Sequence, residues 1–212
     1  MKIGIIGAGF VGRAVAKLAI KAGHQVMLSN SRGPQTLFSL KPMIGCEIGT
    51  AMEAAIFGDI VMIAVPLTAL GQLPVAQLAG KPIIDAVNYY PERDGQVTEL
   101  DQQTKTTSEY LGGFLPQSKI TKAFNAIQMT DLESDGLPAT DPARRALPLA
   151  GDDEDTKKLI VGLYDAFGFD AVDVGALSDS WRFQRGMPSY CVRMTERELR
   201  EALAGSHRPE PV

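Results

Sequence analysis

KIGIIGAGFVGRAVAKLAIKAGHQVMLSNSR, residues 2–32, reads as strand, glycine turn, helix and second strand. Lys2 to Ile6 is a β-branched run with no polar face, which suits a parallel strand buried on both sides. Gly7, Gly9 and Gly12 follow in the spacing GxGxxG. In a dinucleotide fold the first glycine permits a tight turn, the second lets a pyrophosphate approach the backbone, and the third lets helix and strand lie close. The helix expected from Phe10 to Lys21 would aim its free amides and positive dipole end at that pyrophosphate. Gly23 stands where a helix ends in a left-handed residue, and Gln25 to Leu28 supplies the second strand. The motif follows a strand and opens a helix within a unit of the right length, which is the context that gives it meaning.

The end of the second strand selects between dinucleotides. An NAD site places an acid there for the ribose 2′-hydroxyl. This chain has Ser29, Asn30, Ser31 and Arg32, with no acid. A carboxylate ~5 Å from a 2′-phosphate would cost about 3 kcal/mol at an effective dielectric near 20, and here that repulsion is missing. Arg32 adds a planar, permanently charged donor fork and Ser31 a hydroxyl, so NADP(H) is the expected cofactor.

The 212 residues suffice for one large domain or a domain with an appendage. A net charge of −4 with no basic tract points away from nucleic acid and from membrane surfaces. No apolar run reaches the length of a membrane span, and the first residues go straight into a core strand, so a cytoplasmic protein is expected. Cys46 and Cys191 have no ligand spacing and read as reduced core thiols.

Strand and helix alternate along the chain, predicting an α/β fold: a Rossmann-type, doubly wound parallel sheet with right-handed crossovers. Expected strands are 46–48, 60–65, 82–87, 119–125, 147–150 and 171–174. Expected helices are 34–41, 51–57 (capped by Thr50, with Glu53 completing a capping box), an interrupted 67–78, a short helix capped by Ser108 and running to about Phe114, 156–167, a broken 177–194, and 195–203. Residues 88–106 read as a loop, residues 128–145 as a partly mobile surface excursion, and 207–212 as a frayed tail. Residues 1–146 form the expected NADP-binding domain. Residues 147–212 form a small C-terminal α/β extension contributing to an acceptor cleft and to dimer contacts.

Ligands of an open parallel sheet sit at the carboxyl ends of its strands. Val65, Pro66 and Leu67 would flank the ribose and pyrophosphate. Asn88 and Asn125 each follow an apolar strand and could offer amides to the nicotinamide carboxamide or to an acceptor; equally, both could be turn residues bonding local backbone. Acid–base residues are sparse. His24 lies in a turn away from the cofactor, His207 lies in the tail, and no Tyr-x-x-x-Lys pair occurs. The acids at 152–155 have no metal-loop spacing and suit the N-terminus of the following helix. Reduction of a carbonyl or imine needs a proton donor. Hydride exchange between a nicotinamide and a flavin-like ring needs chiefly the alignment of two rings. The chain fits the second kind.

Over most of its length the sequence resembles the NADPH-dependent reductases of coenzyme F-420, a deazaflavin, and the cytoplasmic oxidoreductase domain of the STEAP metalloreductases. The resemblance runs through GAGFVGRAVAKLAIKAGHQV, Ser31-Arg32, AVPL (64–67), KAFNAI (122–127), AGDD (150–153) and DVGALSDSWR (173–182). It implies pyrophosphate contacts from Gly7, Ala8, Gly9, Phe10, Val11 and Gly12, and 2′-phosphate contacts from Ser31 and Arg32. It also implies contacts from Val65, Pro66 and Leu67, nicotinamide-side contacts from Ala123 to Asn125, and a homodimer. The expected activity is hydride transfer between NADP(H) and a small-molecule acceptor, coenzyme F-420, FMN or FAD. Two alternatives stay open: reduction of a small carbonyl or imine, and a redox sensor that binds NADP(H) without turnover.

Overall fold

In the computed structural model, which describes residues 1–208, eight strands form one sheet in the order β3-β2-β1-β4-β5-β6-β7-β8. They are β1 (Lys2–Ile6), β2 (Gln25–Ser29), β3 (Glu47–Gly49), β4 (Ile60–Ile63), β5 (Pro82–Asp85), β6 (Lys119–Lys122), β7 (Ala146–Gly151) and β8 (Asp170–Asp173). The helices are α1 (Phe10–Lys21), α2 (Ala51–Phe57), α3 (Val75–Leu78), α4 (Pro91–Asp94), α5 (Thr98–Asp101), α6 (Thr107–Phe114), α7 (Met129–Ser134), α8 (Glu154–Ala166) and α9 (Glu196–Ala204).

Strand alternation divides the core in two. Ile3, Ile5 and Met62 face the layer that holds Val15 of α1, Leu132 of α7 and Ile160 of α8. Ile6, Val61 and Ile63 face the layer that holds Ala54 of α2, Leu78 of α3 and Leu111 of α6. A strand covered on both faces has no polar alternation, which is why β1 and β4 read as continuous apolar runs. A third cluster joins Ala146 and Ala150 of β7, Val172 of β8, Phe183, and Leu199 and Leu203 of α9.

The first six strands are parallel, as expected, but β7 is antiparallel to β6. The connection from Lys122 stays at the carboxyl edge of the sheet and never crosses back. β7 therefore starts beyond that edge and runs down to pair Ala150 with Lys122 and Gly151 with Thr121. β8 then pairs parallel to β7. The C-terminal units thus rise past the carboxyl edge of the sheet, where they can wall a cleft.

Several local expectations are corrected. Residues 128–145 are packed rather than a surface excursion. α7 lies against α1, Leu132 is buried, and Lys17 bridges to Glu133 at 2.8 Å. The segment is polar because its acids neutralise a buried cation: the fully buried Arg145 meets Asp131 at 3.0 Å and Asp135 at 2.9 Å. The expected helix over 34–41 is a 3-10 turn at Pro34–Leu37 followed by a wide turn at Lys41–Gly45. The cap of α6 is Thr106, with Glu109 completing the box, because Ser108 turns inward to Asp85. Residues 88–106 contain the short α4 and α5. Thr50 and Asp153 cap α2 and α8 as read. Of the expected frayed tail, residues 209–212 lie outside the described residues.

Candidate active site

A cleft of about 550 Å3 opens at the carboxyl ends of β1, β4, β5 and β6. One wall is the β1–α1 turn. Gly7 has φ +121°, and a Cβ there would sit 2.2 Å from the Ala64 carbonyl oxygen. A Cβ on Gly12 would sit 2.0 Å from the Gly7 carbonyl oxygen, so helix and strand meet at van der Waals contact. A Cβ on Gly9 would meet nothing within 4 Å. The space over Gly9 is open, α1 carries no acid in its first turn, and no side chain caps it. A helix start with free amides, an unobstructed glycine and no competing carboxylate fits an anionic pyrophosphate.

The sequence-selected residues separate into groups. Gly9, Phe10, Val11, Val65, Pro66, Asn88 and Asn125 line the cleft. Ala8, Leu67 and Ala123 point into the core, and Gly7 and Gly12 shape the turn beneath. Ser31 and Arg32 lie outside the cleft, past the end of β2, where the Gly7 amide donates to the Ser29 carbonyl at 3.0 Å. The Arg32 amide donates to Asn30 Oδ1, which turns the loop, and its exposed guanidinium has no ion-pair partner among the described residues. Cys46 is a core thiol as expected. Cys191 is not: it lines the cleft in a left-handed conformation (φ +58°), with burial raising its thiol pKa.

The opposite wall is polar and assembled from distant segments. Asn88 Nδ2 donates to the Asn125 carbonyl at 3.0 Å, and Asn125 Nδ2 donates to the Phe183 carbonyl at 3.0 Å and to Asn88 Oδ1 at 3.3 Å. The two asparagines therefore bond each other across the cleft floor, so neither is a simple turn residue bonding its own backbone. Asn125 is 3% exposed, and its Oδ1 has no partner. An unmade hydrogen bond on a buried acceptor costs about 1–3 kcal/mol, which a donor brought to this wall would recover. Phe124, at φ +60°, sets the angle of Asn125. Strain of about 1–3 kcal/mol is usual for such a residue. Here it is held by the Phe124 amide donating to the buried Tyr164 hydroxyl, which in turn donates to the Pro148 carbonyl, both at 3.0 Å.

Beneath Asn88 lies a buried ion pair. Lys122 and Asp85, neighbours across β6 and β5, are both fully buried, with Nζ 3.6 Å from Oδ2. Lys122 also donates to the Val87 carbonyl at 2.9 Å. Asp85 accepts from the Val87 amide at 2.8 Å and from Ser108 Oγ at 2.6 Å. Burial pulls the Lys122 pKa down, and the Asp85 carboxylate opposes the shift. The pair clamps residues 86–88 and so fixes Asn88.

The sequence pattern missed Tyr90 and Tyr190. Both line the cleft, with their hydroxyls 2.6 Å apart and 100 residues between them in the chain. The guanidinium carbons of Arg93 and Arg185 each lie 4.9 Å from the Tyr90 ring centroid. Tyr90 follows Asn88 by two positions and was within reach of a reading of strand ends. Tyr190 carried no local signal.

Residues 2–89 match the family "NADP oxidoreductase coenzyme F420-dependent". The mouse metalloreductase STEAP2 is 26% identical over 181 residues, 84% of this chain and 34% of that protein, so the chain spans about a third of the length of its curated relatives. A hypothetical protein, SMa0349, from Sinorhizobium meliloti superposes with TM-score 0.79 at 28% identity, covering 92% of this chain and 95% of that one. A provisionally assigned F420-dependent NADP reductase from an Arthrobacter species superposes with TM-score 0.72 at 23% identity, covering 85% and 87%, a likeness of fold. The resemblance to the coenzyme F-420-dependent NADP reductases and the STEAP oxidoreductase domain is thus borne out, carried by the family match over residues 2–89 and the STEAP2 similarity.

Proposed function

We propose that this protein oxidises NADPH and passes the hydride to a deazaflavin (coenzyme F-420) or flavin (FMN or FAD) lying over the nicotinamide. One observation carries the reading: Asn125, with its unpaired Oδ1, lines the same cleft as Gly9, Val65 and Pro66. The free amides of α1 would hold the pyrophosphate, and Ser31 and Arg32 the 2′-phosphate. Asn125 Oδ1 would accept from the nicotinamide carboxamide, fixing the ring against the β6 end. When bound, the dinucleotide supplies the hydride. The chain supplies alignment, an apolar flank at Val65 and Pro66, and exclusion of water. Residues 147–212 would complete the acceptor side through Tyr190 and Cys191. The working form would be a cytoplasmic homodimer with exposed apolar residues such as Phe38 and Met43 available for contact. Among the described residues no helix is long and apolar enough to cross a membrane.

Stopped-flow oxidation of NADPH with F-420, FMN and FAD tests the proposal. Transfer to at least one ring acceptor is expected, and transfer to none would end this acceptor class. A second reading, reduction of a small carbonyl or imine, is favoured by the Tyr90–Tyr190 pair in the cleft wall, since such substrates need a proton. Cyclic imines and ketones in the same panel separate the two.

A further inference from the structure

We propose that the Tyr90–Tyr190 phenol pair is the proton donor of this cleft, delivering a proton to the acceptor oxygen or nitrogen that becomes negative when hydride adds to the same double bond or conjugated ring. The inference rests on the reductase reading above, and it holds for either acceptor class. The hydroxyls are 2.6 Å apart, so one phenolic hydrogen lies between them. With Tyr190, whose hydroxyl also meets the Cys191 thiol, donating to Tyr90, the Tyr90 hydrogen has no hydrogen-bond acceptor among the described residues, and both rings face the cleft beside Asn88 and Asn125. The pair therefore presents one free O–H to whatever occupies the acceptor side.

The surroundings suit a phenol that gives up its proton and recovers it. The Arg93 and Arg185 guanidinium groups stack on the Tyr90 ring and stabilise negative charge developing on the pair. Each is held in place by a carboxylate, Asp94 at 2.8 Å for Arg93 and Glu92 at 2.7 Å for Arg185. Partial burial, together with the Tyr90 hydrogen bond, raises the Tyr190 pKa, so Tyr190 keeps its proton and holds its O–H toward Tyr90, the phenol that the two guanidinium groups stack on.

The step balances as follows. The bound dinucleotide gives an electron pair and a hydrogen as hydride, and a C–H bond forms on a deazaflavin, carbonyl or imine carbon, or an N–H bond on a flavin ring nitrogen. The acceptor's oxygen or nitrogen takes the phenolic proton and an O–H or N–H bond forms. The phenolate left behind is stabilised by the partner phenol's O–H until solvent returns a proton. One NADPH and one solvent proton are consumed for each two-electron reduction.

The test uses the full chain and its Y90F, Y190F and Y90F/Y190F variants, which keep both rings. F-420, FMN and a cyclic imine serve as acceptors. Loss of a general acid lowers turnover by roughly 10²- to 10⁴-fold. Each single variant should fall within that range with the acceptor that wild type reduces, and the double variant should be no worse than the weaker single. The Michaelis constant for NADPH, NADP+ affinity by calorimetry and thermal unfolding should stay at wild-type values. The solvent isotope effect on single-turnover reduction should disappear in the variants. A readout independent of turnover is ultraviolet titration of the phenols without cofactor: Y90F should return Tyr190 toward the ordinary tyrosine range. Wild-type turnover and isotope effect in both single variants would overturn the relay while leaving the reductase reading intact. No NADPH oxidation by the wild type with any acceptor would overturn both.

Discussion

On the β1 side of the cleft, the wall comes from one continuous run: Gly7, Gly9 and Gly12 lie within six residues, and backbone geometry does the work. On the β5–β6 side, Asn88, Tyr90, Asn125 and Tyr190 arrive from three separated stretches, and side-chain hydrogen bonds tie them together. The first wall is built to admit an anion against bare amides. The second holds paired donors and acceptors, an orphaned carbonyl oxygen and two phenols. A backbone wall can recognise a phosphate but cannot supply a proton or set the angle of a ring. Under the proposed function the difference divides the labour of the site between gripping a dinucleotide and working on what lies beside it.

Three substitutions probe that division, beginning with the largest expected effect. Gly7→Ala combines a left-handed backbone with a Cβ 2.2 Å from the Ala64 carbonyl, and strain plus overpacking should cost about 3–5 kcal/mol in urea unfolding. Gly9→Ala meets no atom, so stability should change by under about 0.5 kcal/mol while NADPH affinity falls. Equal destabilisation by both would erase the distinction between the glycine that shapes the turn and the one that leaves room. Lys122→Met leaves the Asp85 charge buried with no cation beside it, and about 3–5 kcal/mol of stability should go in a chemical melt. A smaller loss would mean that the clamp under Asn88 is held by other contacts.

Two further changes are read in function rather than in stability. Arg32→Ala would remove the charge-assisted bond proposed to the 2′-phosphate, worth about 1.5–3 kcal/mol, so the Michaelis constant should rise roughly 10- to 100-fold for NADPH and hardly at all for NADH. An equal rise for both would dismiss the assignment. Asn125→Ala should lower turnover by about tenfold or more, the worth of one buried hydrogen bond, while changing NADP+ affinity less. Unchanged turnover would move Asn125 from the working wall to mere structural support.

These contrasts also explain what the sequence could reveal. β1, α1 and β2 were legible because strand, glycine spacing and helix are contiguous, so local chemistry specified them. The boundaries of α1 and β1 fall where the pattern put them, and Thr50 and Asp153 cap as read. The reversal of β7 was not legible, because strand direction depends on where a connection lies and not on strand composition. Residues 128–145 misled because surface polarity and the acid needed to neutralise a buried arginine look alike in one dimension. The Lys122–Asp85 pair was not legible, because the two residues are far apart in the sequence and only the pairing of β6 with β5 brings them together. Acid–base residues looked sparse in the sequence because the Tyr90–Tyr190 phenol pair forms only in the folded chain.

A crystal structure with NADP+ bound tests the central claim most directly. The account predicts the pyrophosphate over Gly9 at the start of α1, the 2′-phosphate on Ser31 and Arg32, and the nicotinamide carboxamide bonded to Asn125 Oδ1. The exposed face of the ring should open toward Tyr90 and Tyr190. A nicotinamide turned away from Asn125, or a ribose phosphate remote from Arg32, would contradict it.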